Sequence, residues 1–198
     1  IREHRLKILK RTLVTALIVF VIIAGLFLFL ALRHYEDFDV NSTVERSDTA
    51  ATIFEEFQGN ILKYSRSGIS EINNEGKSLW NGGYEMKQPQ VDVCGDYVSV
   101  ADVSGKQCYI YNGKDEGVTV ETSLPIVRAK VARQGVVAIL LQDKDSNVLN
   151  IYNPYSNAES LLVEIPTNVS EEGYPLDFDI SPDGKSVVTS YMIAGSSD

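Results

Sequence analysis

The sequence predicts an all-β fold, an incomplete β-propeller of about three four-stranded blades, preceded by a single transmembrane α-helix. Three observations carry that expectation. Thr12–Leu32 is a run of twenty-one residues without a charged side chain. From Asn60 onward, short alternating apolar runs are broken by Gly, Asn, Asp and Ser, the pattern of antiparallel strands. Those runs recur at a spacing near forty residues, the length of a four-stranded blade.

The apolar run matches the length a helix needs to cross the hydrocarbon core. A helix also satisfies its own backbone groups, which lipid cannot do. Arg2, Arg5, Lys7, Lys10 and Arg11 precede it with one acid, Glu3, whereas Glu36, Asp37 and Asp39 follow soon after. The basic side of a span stays in the cytoplasm, so the N-terminus is expected inside and the bulk of the chain outside. A cleaved signal peptide has a shorter apolar region and small residues at its cleavage site, which Ala31-Leu32-Arg33-His34-Tyr35 does not offer. The expected organisation is a cytoplasmic basic tail over 1–11, a membrane helix over 12–32, a juxtamembrane stalk over 33–59 and a partial propeller over 60–198. Within the stalk, Ala50, Ile53, Phe54 and Phe57 would share one face of a short helix over Thr49–Phe57.

The whole chain carries a net charge of −9. Beyond His34 there are 12 basic and 26 acidic residues, a net −14. Such a domain is repelled by nucleic acid and by anionic headgroups, so neither is an expected partner.

Two sets of repeats organise the strands. Ile110-Tyr111-Asn112 recurs as Ile151-Tyr152-Asn153, with an abbreviated Ile72-Asn73 before them. A second set begins at Val91, Ala129 and Phe178. Each member is an apolar-polar-apolar triplet, a turn with Gly95, Gly135 or Gly184, and then an apolar run rich in β-branched residues. The first complete unit divides into Val91–Cys94, Tyr97–Val103, Gln107–Asn112 and Val118–Thr122, four strands in about forty residues. A β-sandwich gives no reason for such repeated spacing. Three blades do not close a ring, and the chain starts at Ile1 and stops at Asp198, just past a Val187–Ile193 strand. A fragment of a longer protein is therefore expected, with closure by a second copy as the alternative.

Ser181-Pro182-Asp183-Gly184-Lys185 resembles the SPDGK turn of WD40-like and TolB-like propellers. Gly68–Asn73 followed by Gly76-Lys77-Ser78-Leu79-Trp80 is similar to a phrase of quinoprotein-like repeats. The whole chain, with its anchor and its Gly173-Tyr174-Pro175 insertion, resembles an uncharacterised family of single-pass Gram-positive bacterial membrane proteins bearing an outward propeller. That resemblance implies location and fold, and no activity. It is a departure from regular repeats that SPDGK occurs once and that Trp80 is the only Trp.

A catalytic set is hard to assemble. The only histidines, His4 and His34, flank the membrane run, so no nucleophile–base pair or three-histidine zinc site is expected outside. Asp143-Lys144-Asp145-Ser146-Asn147 lacks the Gly and terminal Glu of a calcium loop and sits where a hairpin turn belongs. Cys94 and Cys108 fall two strands apart, beyond disulfide reach, and are expected as free thiols. No cofactor is expected.

A surface argument remains. The triplets place Asp92, Lys130 and Asp179 at related positions on innermost strands, as channel lining. The loops entering those strands carry Pro89, Pro125 and Pro175, and would bring Tyr84, Met86, Ile126, Arg128 and Tyr174 to one face as a binding surface. The expected function is a membrane-anchored binding or scaffolding module at the cell envelope, recognising a protein, peptide or glycan. The alternative is a quinoprotein-like or hydrolytic propeller enzyme whose catalytic residues lie in further blades.

Overall fold

The computed structural model describes residues 2–32, 40, 43, 48–49, 51–114, 116–144, 146–156 and 160–193. The chain divides into two compact units, Ile1–Thr43 and Val44–Asp198.

Among the described residues, the first unit holds one helix, α1 (Arg2–Ala31). It is longer than the apolar run because the residues before it are strong helix formers (Arg, Lys, Leu) that continue the same turn. Its Lys7–Ala31 portion is long and apolar enough to cross a membrane. The two hydroxyls near its basic end are satisfied within the helix. Thr12 Oγ1 donates to Ile8 O and Leu9 O at 3.1 and 2.9 Å, and Thr15 Oγ1 to Arg11 O and Thr12 O at 2.9 and 3.0 Å.

The second unit is built of antiparallel meanders. The first sheet holds β1 (Ile53–Phe57), β2 (Asn60–Ser65), β3 (Gly68–Ile72) and β4 (Ser78–Gly83) in that order. The second holds β5 (Pro89–Cys94), β6 (Tyr97–Asp102), β7 (Gln107–Tyr111) and β8 (Val118–Glu121). The third holds β9 (Ile126–Val131), β10 (Val137–Gln142), β11 (Ser146–Tyr152) and β12 (Leu161–Asn168). A single helical turn, α2 (Val169–Glu172), leads to a two-stranded sheet of β13 (Tyr174–Ile180) and β14 (Val187–Met192). Three four-stranded sheets and a pair make an incomplete propeller, since a closed ring needs four to eight blades.

The expected strands of the second sheet lie within two residues of those observed. One expectation is corrected. The short helix over Thr49–Phe57 does not form, because Ile53–Phe57 is strand β1, paired with β2 from Ile53↔Tyr64 to Phe57↔Asn60. Gln58 and Gly59, both at positive φ (53° and 78°), make the tight turn that brings the two strands together. Strand structure therefore begins before residue 60, inside the segment expected as stalk.

The repeats have a local cause. Asn73, Asn112 and Asn153 each follow the third strand of a sheet. Asn112 and Asn153 accept the amide two residues on, Lys114 N at 2.9 Å and Tyr155 N at 3.3 Å, and Asn73 accepts both Glu75 N at 3.0 Å and Lys77 N at 2.9 Å. An Asn at this place turns the chain toward the fourth strand. The turn at Ser181 is held in the same way, with Ser181 Oγ on Asp183 Oδ1 at 2.6 Å and Ser186 N donating to Ser181 Oγ at 3.0 Å.

Three apolar layers lie between successive sheets. Phe57, Leu62, Ile69, Val98, Val100 and Tyr111 fill the first. Cys108, Ile110, Val120, Ile126, Ile139 and Leu141 fill the second. Leu140, Leu149, Ile151, Phe178 and Ile180 fill the third. The middle sheets are covered on both faces, which is why β10 reads as an unbroken apolar run rather than an alternation.

The first layer contains a buried carboxylate. Glu71 accepts the Trp80 indole N–H with one oxygen and Asn60 Nδ2 at 2.6 Å with the other. Trp80 stacks on Tyr111, ring centroids 5.6 Å apart. Glu71→Ala leaves both donors without an acceptor, and is expected to cost about 1–3 kcal/mol in urea unfolding and to alter Trp80 emission. An unchanged midpoint and spectrum would show that this contact does not brace the first sheet.

Candidate functional site: the inner strands

β5, β9 and β13 are the first strands of their sheets, and β9 lies between the other two. Asp92, Lys130 and Asp179 are the middle residues of the triplets, Arg128 and Asp177 stand two residues before the latter two, and four of the five pair across the sheet junctions. Asp92 on β5 receives Lys130 Nζ at 2.8 Å on one oxygen and Val131 N at 2.9 Å on the other. Arg128 on β9 donates to the Asp177 carboxylate on β13. Asp179 accepts Ile180 N at 2.9 Å and adds its negative charge to the surroundings of Lys130.

The electrostatics follow from these contacts. The hydrogen bond from Lys130 to Asp92 holds its ammonium above the usual lysine range. The charges of Asp92 and Asp179 reinforce this, against partial burial and the nearby Arg128. Asp177 is held below the ordinary carboxylate value, first by the Phe178 N–H and then by Arg128. Burial pushes the Cys94 thiol up, partly offset by Arg133 beside it. Both cysteines are free, on β5 and β7 with β6 between them.

The expected channel-lining set, Asp92, Lys130 and Asp179, lies on these three strands. The expected binding surface is not brought together. Tyr84 and Met86 are buried in the layer between the first two sheets, and Ile126 in the layer between the second and third. Their loops fold inward instead of projecting. Met86 N bonds Arg66 O at 2.9 Å, and Asp102 Oδ1 accepts Lys87 N and Gln88 N at 3.0 and 2.9 Å, pulling this segment onto the sheet end. Ile126 is fixed by backbone bonds to Ser104 and Gly105, both 2.8 Å. Arg128 is half-exposed but engaged with Asp177, while Tyr174 is 48 % exposed at the start of β13.

Sequence reasoning does not single out Asp177. Its signal is present, since it stands two residues before Asp179 and shares its strand face. Asp143 N bonds Ser146 O at 2.9 Å, so the acidic segment there is the β10–β11 turn, and Asp145 lies outside the described residues. Among the described residues, no group of three or more His, Cys, Asp or Glu side chains is placed to hold a metal ion.

Sheets built of four meandering strands, joined through their innermost strands, define a β-propeller. Residues 31–198 match the family of unknown function DUF5711, and the chain belongs to that family. Hsv2 from Kluyveromyces lactis is similar in structure, with a TM-score of 0.53 at 15 % identity over 71 % of this chain and 46 % of that one. Hsv2 from Kluyveromyces marxianus gives 0.53 at 16 % identity over 74 % and 48 %. BamB from Moraxella catarrhalis gives 0.46 at 13 % identity over 69 % and 41 %. The chain spans about half the length of these solved propellers. No curated protein matches it.

Proposed function

We propose that this chain is a membrane-anchored binding or scaffolding module whose propeller faces outward at the cell envelope. One observation carries the reading. The inner-strand charges neutralise one another in the pairs Asp92–Lys130 and Arg128–Asp177, so they brace the strands and leave the work of recognition to the exposed loop ends. The apolar helix supports the anchor, and the basic residues before it support a cytoplasmic N-terminus. The acidity of the outer region favours a protein, peptide or glycan over nucleic acid.

The partner touches the start of β13, where Tyr174 and Leu176 are exposed beside the Arg128–Asp177 pair. Tyr174→Ala combined with Leu176→Ala should reduce partner capture by about tenfold or more, with the thermal midpoint unchanged. Protease added to protoplasts should remove the region after Tyr35 and spare the basic tail. Loss of the tail instead would reverse the orientation. Turnover of a substrate by the purified outer region, abolished by one polar substitution on β5, β9 or β13, would decide for a propeller enzyme.

A further inference from the structure

The charges of the inner strands are paired with one another, whereas the polar side chains at the entry to β9 are not. Three segments meet there, between the second and third sheets, around a cavity of ≈ 500 Å³. Val103 and Ser104 come from the β6–β7 turn, Pro125 to Val127 from the start of β9, and Gln142 to Lys144 from the end of β10. Backbone bonds fix this frame. Ile126 N donates to Gly105 O and Ser104 N to Ile126 O, both at 2.8 Å, and Gln142 N donates to Pro125 O at 3.0 Å. The cavity is therefore formed in advance, and it has the size of a small-ligand site.

Two irregularities shape it. The register between β9 and β10 shifts between Ile126 and Arg128, so Val127 is an extra residue. Such a bulge re-aims the side chains beside it. Val127 lines the cavity while Arg128 turns to Asp177. Ser104 has a φ of 65°, in the region that favours glycine. Among the described residues, positive φ is found at eight glycines and at two other residues, Gln58 and Ser104. Gln58 uses its side chain, Nε2 donating to Asp96 Oδ1 at 2.8 Å. Ser104 stands next to a glycine, yet it takes the strained position itself and sets a hydroxyl at the cavity. Strain of this kind is retained where a group is needed.

We propose that this cavity binds a short peptide segment of the partner. An apolar side chain of that segment packs on Val103, Pro125 and Val127, which supply the aliphatic part of the lining. Ser104 Oγ and the Gln142 amide bond its peptide groups, since each can both donate and accept. Asp143 and Lys144 pair with charges of opposite sign beside the apolar residue. Among the described residues, none of these four polar side chains has a hydrogen-bond or ion-pair partner of its own. A sugar ring packs best on an aromatic face, and no aromatic side chain lines the cavity among the described residues. The inference rests on the reading of the chain as a binding module and narrows its partner to a peptide; it does not rest on the membrane anchor.

Phage-displayed random heptapeptides, selected on the full chain in lipid nanodiscs, supply the probe. Enriched sequences should carry an apolar residue flanked by charges, and a synthetic peptide of that sequence should bind saturably. Ser104→Gly keeps the turn and removes the hydroxyl, so it should weaken that peptide by about threefold to tenfold without lowering the thermal midpoint. Gln142→Ala combined with Lys144→Glu, both at exposed positions, should weaken it by at least about tenfold. Peptides that bind all these proteins equally would overturn the inference, as would a selection that enriches nothing over empty nanodiscs. Binding of an N-acetylglucosamine trisaccharide that the same variants weaken, with no peptide enriched, would overturn it in favour of a glycan. Partner capture lost through Tyr174→Ala with Leu176→Ala does not depend on any of these results, so the binding module and its peptide cavity fail separately.

Discussion

Ile139→Ala is expected to destabilise the second unit by about 2–5 kcal/mol, the range for truncating a fully buried aliphatic side chain. Ile139 sits mid-strand on β10, between Ala129 on β9 and Asn150 on β11, with no exposed surface. It packs in the layer with Cys108, Ile110 and Leu141, and both flanking sheets are held by paired backbones that resist collapse into the space. A small domain has only about 5–15 kcal/mol to lose, so the urea midpoint should fall far with little change in slope. Val188→Ala, on the exposed face of β14, should stay within about 0.5 kcal/mol of the unsubstituted protein. Trp80 emission follows the first sheet junction and far-ultraviolet dichroism follows all the sheets, so coincident curves would show that the junctions unfold together. A cost below about 1 kcal/mol for Ile139→Ala would mean that the second and third sheets are not packed as described.

What is legible in the sequence depends on how many signals agree. In the second sheet, alternation, β-branched residues and the positive-φ glycine at Gly95 all mark the same strands, and the observed bounds follow them closely. β1 is five residues long, and Ile53, Phe54 and Phe57 suit a helical face as well as a strand. Only its pairing with β2, a tertiary fact, chooses between them. The turn at Gln58-Gly59 is the local sign of a hairpin, but Gln at positive φ is an unusual turn residue.

The candidate site divides in the same way. Asp92, Lys130 and Asp179 can be placed on corresponding strands because the triplets repeat. That Asp92 joins Lys130, and that Arg128 joins Asp177, depends on which strands are adjacent and on their stagger. No spacing along the chain carries those quantities. Tyr84, Met86 and Ile126 are expected at a surface because they lie near prolines in connecting segments. Their burial comes from hydrogen bonds that fold the segments inward, such as those to Asp102, and large apolar side chains then follow the backbone into the nearest layer.

Alkaline pH should unfold the second unit well before it disturbs an ordinary acidic domain, and Cys108 should set the onset. Complete burial pushes its thiol from 9.0 up to about 12, because the thiolate cannot be solvated among Ile110, Val120 and Leu141. An unfolded chain ionises this group near its ordinary value, while the folded one holds the proton for about three further pH units. The folded form therefore loses about 1.4 kcal/mol per unit as pH rises above 9, or about 4 kcal/mol by pH 12. Below pH 9 the group is protonated in both states and contributes no slope. Burial also pushes the Tyr111 phenol up to about 12 and raises Tyr84 further, so both act in the same direction above pH 10. Lys130 joins them at the highest pH, since its pairing with Asp92 is fully present below the ordinary lysine value and fades as pH rises through its raised one. Its exposure keeps that contribution small. Cys94, whose thiol burial also raises from the same ordinary value, adds a smaller slope from pH 9, and Cys108→Ala removes the larger of these two earliest contributions. Urea unfolding at half-unit steps from pH 7 to 10.5 should show a variant weaker at neutral pH through lost packing, but with most of the slope between pH 9 and 10 gone. If the variant and the unsubstituted protein lose stability in parallel across that interval, Cys108 is not the buried group that the second layer makes it.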